Sequence, residues 1–336
     1  MNAKRVLVLT EQFTNDCPLF EPLRAAGYAV EVNETGRLPD EAALKAMLAE
    51  GVIATIAGGE PYTPDVIAAA KDLRIIARWG VGYDRVDVTA ATAHGIPLAM
   101  AFGQNHESVA EYAHAMALAL ACGIGRRDAM VKSGAWSFDG FHPGLWGRKA
   151  GLIGLGRIGG AMARRLIGQG MEVMVYDPFL SPEKAAEAGV IAVDLDTLLA
   201  EADLISVHAP STPQTRHTLN DAAFARMKAN AIVINTSRGP LIDEAALVRA
   251  LEAGRIAGAG LDVFETEPLP ADSPLRGFDN VILSPHVSGM DRMAEQRVTE
   301  RCVRNILAWL DGRAEELLPY VVNPETLSPA HKDSAE

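Results

Sequence analysis

The chain has 336 residues, 49% of them hydrophobic and 22% charged, which suits two globular domains of ordinary size and excludes a disordered or fibrous protein. Its 43 acidic residues outnumber 31 Lys plus Arg, giving a formal charge of −12, so neither a nucleic acid nor an anionic membrane is an expected partner. Cys17, Cys122 and Cys302 lie far apart with no metal-ligand spacing, so no disulfide framework and no metal are expected, and a reducing, cytoplasmic setting fits best.

The N-terminus enters a strand at Arg5 to Leu9, with no charged-then-apolar signal segment ahead of it. Short apolar runs then alternate with helical patterns: Leu19 to Ala26, Ala29 to Val32, Glu41 to Ala49, Val52 to Ile56, Asp65 to Ala70 and Arg74 to Ala77. This alternation predicts an α/β domain. A long helical stretch follows over Ser108 to Cys122. Its apolar part, Ala113 to Ala121, is interrupted by His114 and falls short of the roughly 20 residues a bilayer span needs, so it reads as a buried helix.

The next segment carries the most specific local pattern. A buried-strand run, Lys149 to Ile153, leads into Gly154-Leu-Gly-Arg-Ile-Gly159, then helical spacing over Ile158 to Ile167, a β-rich run Glu172 to Tyr176, and Asp177. Gly154 permits a tight turn, Gly156 lets backbone approach a pyrophosphate, Gly159 packs helix on strand, and the helix N-terminus attracts the phosphates. Asp177 can accept from the adenosine ribose hydroxyls and would repel the extra phosphate of NADP, so NAD is the expected cofactor.

Further strands at Leu204 to Val207, Ala231 to Asn235, Gly258 to Val263 and Val281 to Leu283 complete a doubly wound parallel sheet. A second amphipathic stretch, Arg292 to Leu310, follows, and either long helix could cross between the two halves. Leu317 to Val322 would finish the first domain and Pro324 to Glu336 reads as a polar tail. The expected architecture is therefore a Rossmann NAD-binding domain, residues 104–289, inserted into a flavodoxin-like α/β substrate-binding domain made of residues 1–103 and 290–336.

Three late strands end in Ser237-Arg238-Gly239, Glu265-Thr-Glu-Pro268 and Ser284-Pro-His286. Hydride transfer to a 2-keto acid needs a cation for the carboxylate and a proton carrier for the C2 oxygen. Arg238 suits the first with a planar fork, His286 suits the second, and an acid orients the imidazole. Spacing alone does not choose between Glu265 and Glu267. His94, His106, His114, His142 and His217 read as structural.

The chain resembles the D-isomer-specific 2-hydroxyacid dehydrogenases over nearly its whole length. The likeness rests on Arg78-Trp-Gly-Val-Gly-Tyr-Asp-Arg-Val-Asp87, Ser108-Val-Ala-Glu111, Gly151-Leu-Ile-Gly-Leu-Gly-Arg-Ile-Gly159, Asn235-Thr-Ser-Arg-Gly239, Leu261-Asp-Val-Phe-Glu-Thr-Glu-Pro268 and Ser284-Pro-His286. The resemblance implies an NAD-dependent oxidoreductase acting on a small D-2-hydroxy or 2-keto acid, with Arg238, Glu267 and His286 as the catalytic set. It implies that backbone groups of Gly80, Val81 and Gly82, with Arg238, hold the substrate carboxylate. It further implies Arg157 and Ile158 at the pyrophosphate, Asp262 at the nicotinamide carboxamide, His208, Pro210 and Thr215 around the cofactor, and Thr236, Ser237 and Gly289 lining its pocket. A homodimer is implied, with the Ser108 to Cys122 region contributing.

Phosphoglycerate dehydrogenases usually carry an arginine where this chain reads Ala54-Thr-Ile-Ala-Gly-Gly-Glu60, and a negative Glu60 there would repel a phosphate. Arg78, Arg85 or a partner subunit could compensate. The chain stops soon after Val321-Val-Asn-Pro324, so feedback through a serine-sensing regulatory domain is not expected. A second reading stays open: an NAD(H)-sensing, corepressor-like binding protein on the same fold.

Overall fold

The computed structural model describes residues 4–328, which fall into two compact units, one of residues 4–105 and 291–328, the other His106–Met290. In the first, strands β1 (Arg5–Val8), β2 (Ala29–Val32), β3 (Val52–Ala57), β4 (Ile75–Arg78) and β5 (Leu98–Met100) form a parallel sheet in the order β2-β1-β3-β4-β5. That is the flavodoxin-like order, with its switch point between β1 and β3. All six residues of β3 are buried, because helices cover both faces of a parallel sheet.

Strand alternation sorts the core. Val6, Val8, Ala54, Ile56, Ile75 and Ala77 face one layer, where helix Arg292–Leu310 supplies Val298, Cys302, Val303 and Ile306 at helical spacing. Leu7, Val52, Ala57, Ile76 and Leu98 face the other. Each fully buried aliphatic side chain contributes roughly 1.5–3 kcal/mol. Polar pins fix the long helix in its unit: Trp79 Nε1 donates to Thr299 Oγ1 at 2.9 Å and Asn305 Nδ2 to the Met100 carbonyl at 3.1 Å.

Val321 makes an isolated antiparallel bridge to Ala99 instead of a full strand. The expected polar tail also needs correction. Pro324–Leu327 is a 3-10 turn with Thr326 fully buried, and Asn323 Oδ1 accepts from Leu98 N at 2.8 Å. The rest of that segment lies outside the described residues.

The second unit holds β6 (Lys149–Ile153), β7 (Glu172–Tyr176), β8 (Ile191–Ala192), β9 (Leu204–Val207), β10 (Ile232–Asn235), β11 (Gly258–Leu261) and β12 (Val281–Leu283). All are parallel, in the order β12-β11-β10-β9-β6-β7-β8, the doubly wound dinucleotide-binding arrangement with one added edge strand. The order reverses between β6 and β9, which sets the crevice beyond their carboxyl ends. Helix His106–Ala121 belongs to this unit and buries Ala110, Ala113, Met116, Ala117 and Ala121 in its core. Gly260 of β11 permits that approach, since a Cβ there would lie 3.2 Å from Met116 Cβ and 2.8 Å from Ile234 Cδ1. Among the described residues no single helix is long and apolar enough to cross a membrane; His106–Ala121 and Ile124–Lys132 qualify only as a pair bent by 61°.

Candidate active site

The glycine run lies between β6 and helix Arg157–Gly168, at the switch point. Gly154 has φ +97°, and a Cβ there would come within 3.0 Å of the backbone of His208 and Ala209. A Cβ on Gly159 would overlap the carbonyl of Gly154. At Gly156 a Cβ would meet nothing within 4 Å. The helix behind it has no side-chain cap, whereas the helices starting at Pro182, Leu195, Asp221 and Glu244 are capped by Ser181, Asp194, Asn220 and Asp243. Open space facing uncapped N–H groups at the N-terminus of a twelve-residue helix fits a pyrophosphate beside Gly156, Arg157 and Ile158.

Asp177, just beyond β7, organises this loop. Its Oδ2 accepts from Leu155 N at 2.8 Å and its Oδ1 from Phe179 N at 2.9 Å. Each oxygen keeps a lone pair with which a ribose hydroxyl can bond. Beyond β9, His208 hydrogen-bonds through Nε2 to Ser206 Oγ at 3.0 Å, while its buried Nδ1 has no partner among the described residues. Burial pushes the imidazole down to about 4, so it is neutral at physiological pH. Thr236 Oγ1, at the end of β10, is likewise buried and unpartnered. Orphaned polar atoms along a dinucleotide-type crevice are what a bound cofactor would satisfy. Thr215 Oγ1 donates to the Pro210 carbonyl at 2.7 Å and ties that loop to itself.

The catalytic candidates follow β10, β11 and β12. Asn235 holds the first turn: its Oδ1 accepts from Ser237 N at 3.0 Å and its Nδ2 donates to the Arg238 carbonyl at 2.9 Å. Gly239 comes next, and any Cβ there would overlap the Phe264 carbonyl and Glu265 N. Glycine thus lets the Arg238 turn lie directly against the loop that carries Glu267. Sequence reasoning gave neither Asn235 nor Gly239 a role, although the tight Asn235-to-Gly239 run was the available signal.

Asp262, fully buried after β11, positions the histidine loop. Its Oδ1 accepts from Ser284 Oγ at 2.6 Å and Val287 N at 2.9 Å, its Oδ2 from Ser288 N at 2.8 Å, and its carbonyl from His286 N at 2.8 Å. His286 is thereby held in the left-handed region, φ 56°, an unusual backbone state for a non-glycine residue. Gly289 lies in the turn that follows.

His286 Nδ1 meets Glu267 Oε2 at 2.8 Å, and Glu267 Oε1 accepts from Phe264 N at 3.0 Å. Burial opposes ionisation of Glu267. Hydrogen bonds from His286 and Phe264 N–H, with the charges of His286 and Arg238, outweigh it and hold the carboxyl below its ordinary range. Nε2 of His286 is the ring nitrogen left for proton exchange. Arg238 Nη1 donates to the Ser237 carbonyl at 2.6 Å. Glu265, the other acid of the loop, is engaged elsewhere: its Oε1 lies 2.7 Å from His217 Nε2. His217, read from sequence as structural, therefore has a carboxylate partner in the loop that carries Glu267.

In the first unit, Gly80 follows β4 with φ +129°, and the N–H groups of Gly80, Val81 and Gly82 donate to no other group among the described residues. One expectation about the end of β3 needs correction. Glu60 is only 1% exposed, so it is not a repelling surface charge; burial pushes it up to about 7, against the opposing influence of nearby N–H groups and Arg78. Arg78, named above as a cation that could compensate, does reach this strand end: its Nη1 donates to the Ala57 carbonyl at 3.2 Å.

Residues 114–288 match the family described as D-isomer specific 2-hydroxyacid dehydrogenase, NAD binding domain. The chain is 40% identical over 274 residues to a glyoxylate reductase of Korarchaeum cryptofilum, covering 80% of this chain and 81% of that protein. It is 43% identical over 279 residues to a D-3-phosphoglycerate dehydrogenase of Archaeoglobus fulgidus, which takes in 82% of this chain but only 52% of that longer relative. Among solved structures, a D-lactate dehydrogenase of Aquifex aeolicus complexed with NAD and lactic acid superposes with a TM-score of 0.83 at 28% identity, over 95% of this chain and 99% of that one. With the glycine loop, the acid–histidine pair and these similarities in agreement, the chain belongs to the D-isomer-specific 2-hydroxyacid dehydrogenases, a family of NAD-dependent oxidoreductases.

Proposed function

We propose that this protein interconverts a small D-2-hydroxy acid and its 2-keto acid with NAD(H). The observation that carries the reading is the 2.8 Å contact between Glu267 Oε2 and His286 Nδ1, on the loops after two neighbouring strands, with Arg238 close enough to favour the ionised Glu267. Gly154, Gly156, Arg157, Ile158, Gly159 and Asp177 would hold the adenosine and pyrophosphate end of the cofactor. His208, Pro210, Thr215, Thr236, Ser237, Asp262 and Gly289 would line the remainder. When bound, the nicotinamide supplies the hydride for reduction and receives it in oxidation.

The chain's own residues do the rest. Arg238 binds the substrate carboxylate as a fork and draws electron density from the adjacent carbonyl. His286 gives the proton on Nε2 to the C2 oxygen during reduction and takes it back from the hydroxyl during oxidation. Glu267, on the opposite ring nitrogen, fixes the ring's orientation and balances the imidazolium charge.

The test is NADH oxidation in the presence of glyoxylate, hydroxypyruvate, 3-phosphohydroxypyruvate and branched 2-keto acids. Turnover with at least one is expected; NADH binding without turnover of any would favour the sensor reading. We also propose self-association between copies of the chain. Trp136, Phe138 and Phe141 are 89%, 77% and 96% exposed on the segment beyond helix Ile124–Lys132, an apolar surface that a second copy would cover. Sedimentation as a monomer would contradict this. Three free cysteines support a reducing compartment.

A further inference from the structure

Behind Glu267 lies a second set of charged side chains to which the proposed chemistry gives no role. Glu244 opens helix Glu244–Glu252, and its Oε1 accepts from the backbone N–H of Glu265. Glu265 answers in kind: its Oε2 accepts from Glu244 N at 3.4 Å. Its other oxygen holds His217 Nε2 at 2.7 Å and Arg216 Nη2 at 3.3 Å. The helix start and the loop carrying Glu267 are therefore clasped from both sides.

A second observation is independent of these bonds. Among the described residues, the two non-glycine residues with positive φ are His217, at 51°, and His286, at 56°. Each faces an acid of the same short loop, Glu265 for the first and Glu267 for the second. Left-handed backbone at non-glycine residues persists only where the surroundings over-determine it, and it gathers at functional sites. Two such residues on paired acids two positions apart describe one assembly, anchored at Glu244.

We propose that Glu244, together with the His217–Glu265 pair, is the positioning assembly for the Glu267–His286 pair: it fixes the 264–267 loop through Glu265 N–H and sets the field in which the pair holds its proton. This rests on the acid–base reading given above. The groups facing Glu244 are Glu265 and Glu267 on the loop, with His217 and Arg216 reached through Glu265; His286 and Arg238 lie beyond, against Glu267. Burial, then repulsion from Glu265 and Glu267, pushes the Glu244 carboxyl up against the pull of Glu265 N–H, so the three acids are electrostatically joined. Wherever Glu244 is ionised, its charge favours a proton on the pair in front of it.

Two substitutions separate the two actions. Glu244→Gln keeps an oxygen for Glu265 N–H and removes the charge, whereas Glu244→Ala removes both. Titration of the Glu267–His286 pair, followed by NMR of labelled histidine ring nitrogens in the full chain, is expected to move to lower pH by roughly half a unit to one in E244Q. With glyoxylate or hydroxypyruvate and NADH, the alkaline limb of reduction should shift in the same direction. E244A should in addition lower kcat by about tenfold with a smaller change in KM, because the acid is no longer held in place. If E244A does not fold, E244Q decides. Titration and rate profiles of E244Q that superpose on wild type would overturn the proposal. Should His286→Asn turn over normally, it is the acid–base reading that fails; an inactive H286N alongside an unshifted E244Q sinks only the role of Glu244.

Discussion

The two parallel sheets finish in different chemistry. In the second unit, the carboxyl ends of β10, β11 and β12 carry Arg238, Glu267 and His286, held by Asn235, Asp262 and Phe264 N–H. In the first unit, the ends of β3 and β4 offer glycines, backbone N–H groups that donate to no other group among the described residues, and one buried acid, Glu60. The second unit's strand ends are rich in side-chain chemistry, whereas the first unit's present glycines and backbone donors. Residue types therefore carry the reading in the second unit, while the first depends on loop conformation that residue types leave open.

Gly239 gives the sharpest way to break the second unit's arrangement. Gly239→Ala would drive a methyl group into the Phe264 carbonyl and part the Arg238 turn from the Glu267 loop. A displacement near 1 Å costs on the order of a hundredfold, so kcat/KM for keto-acid reduction should fall by about that factor. Because His208 and Asp177 are untouched, NADH affinity should change far less, which a fluorescence titration would check.

A smaller effect is expected at Asp177. Asp177→Ser removes the carboxylate that would repel a ribose phosphate, and the NADPH-to-NADH ratio of kcat/KM should rise about tenfold, the equivalent of some 1.4 kcal/mol. It also frees Leu155 N, so affinity for both cofactors should weaken. An unchanged ratio would remove Asp177 from the cofactor reading.

Stability effects, as distinct from effects on turnover, separate the units by pH. Burial raises Glu60 from an ordinary 4.5 to about 7, so its contribution to the first unit's stability is present in acid and lost as pH rises through about 7. Burial lowers His208 from 6.5 to about 4, so the second unit loses stability as pH falls from 6.5 towards about 4. Each change is at most about 3.4 kcal/mol. Hydrogen exchange at β3 should weaken on the alkaline side and that at β9 on the acid side. Glu60→Gln should flatten the first trend and His208→Asn the second; parallel trends in both strands would contradict the assignment.

Much of this was legible in the sequence, and the gaps have physical causes. Parallel strands such as Glu172–Tyr176, Leu204–Val207 and Val281–Leu283 appear as short apolar runs between turn signals, and their bounds coincide with the observed ones. β5 has only three residues, and helix Val88–Ala93 is too short and alanine-rich to show a periodic face. Asn323 and Thr326, at the turn Pro324–Leu327, are buried through contacts far along the chain, such as Asn323 to Leu98, which no local pattern records.

At the site, residue types announced an arginine, acids and a histidine, yet two acids two residues apart are indistinguishable until the backbone turns. The structure gives Glu267 to His286 and Glu265 to His217. Asp262 shows the same limit. Its side chain is engaged with the backbone of Val287 and Ser288, a structural task that adds to the cofactor role suggested by resemblance. Glu60 was misjudged because a charge in the sequence carries no sign of its burial.

The central claim, that the Glu267–His286 pair moves the proton while the neighbouring crevice holds the cofactor, is tested most directly by His286→Asn. Turnover of the best keto acid should fall by about a thousandfold, with NADH binding, measured by fluorescence, kept within a few-fold of wild type. Near-normal kcat in that variant would contradict the account.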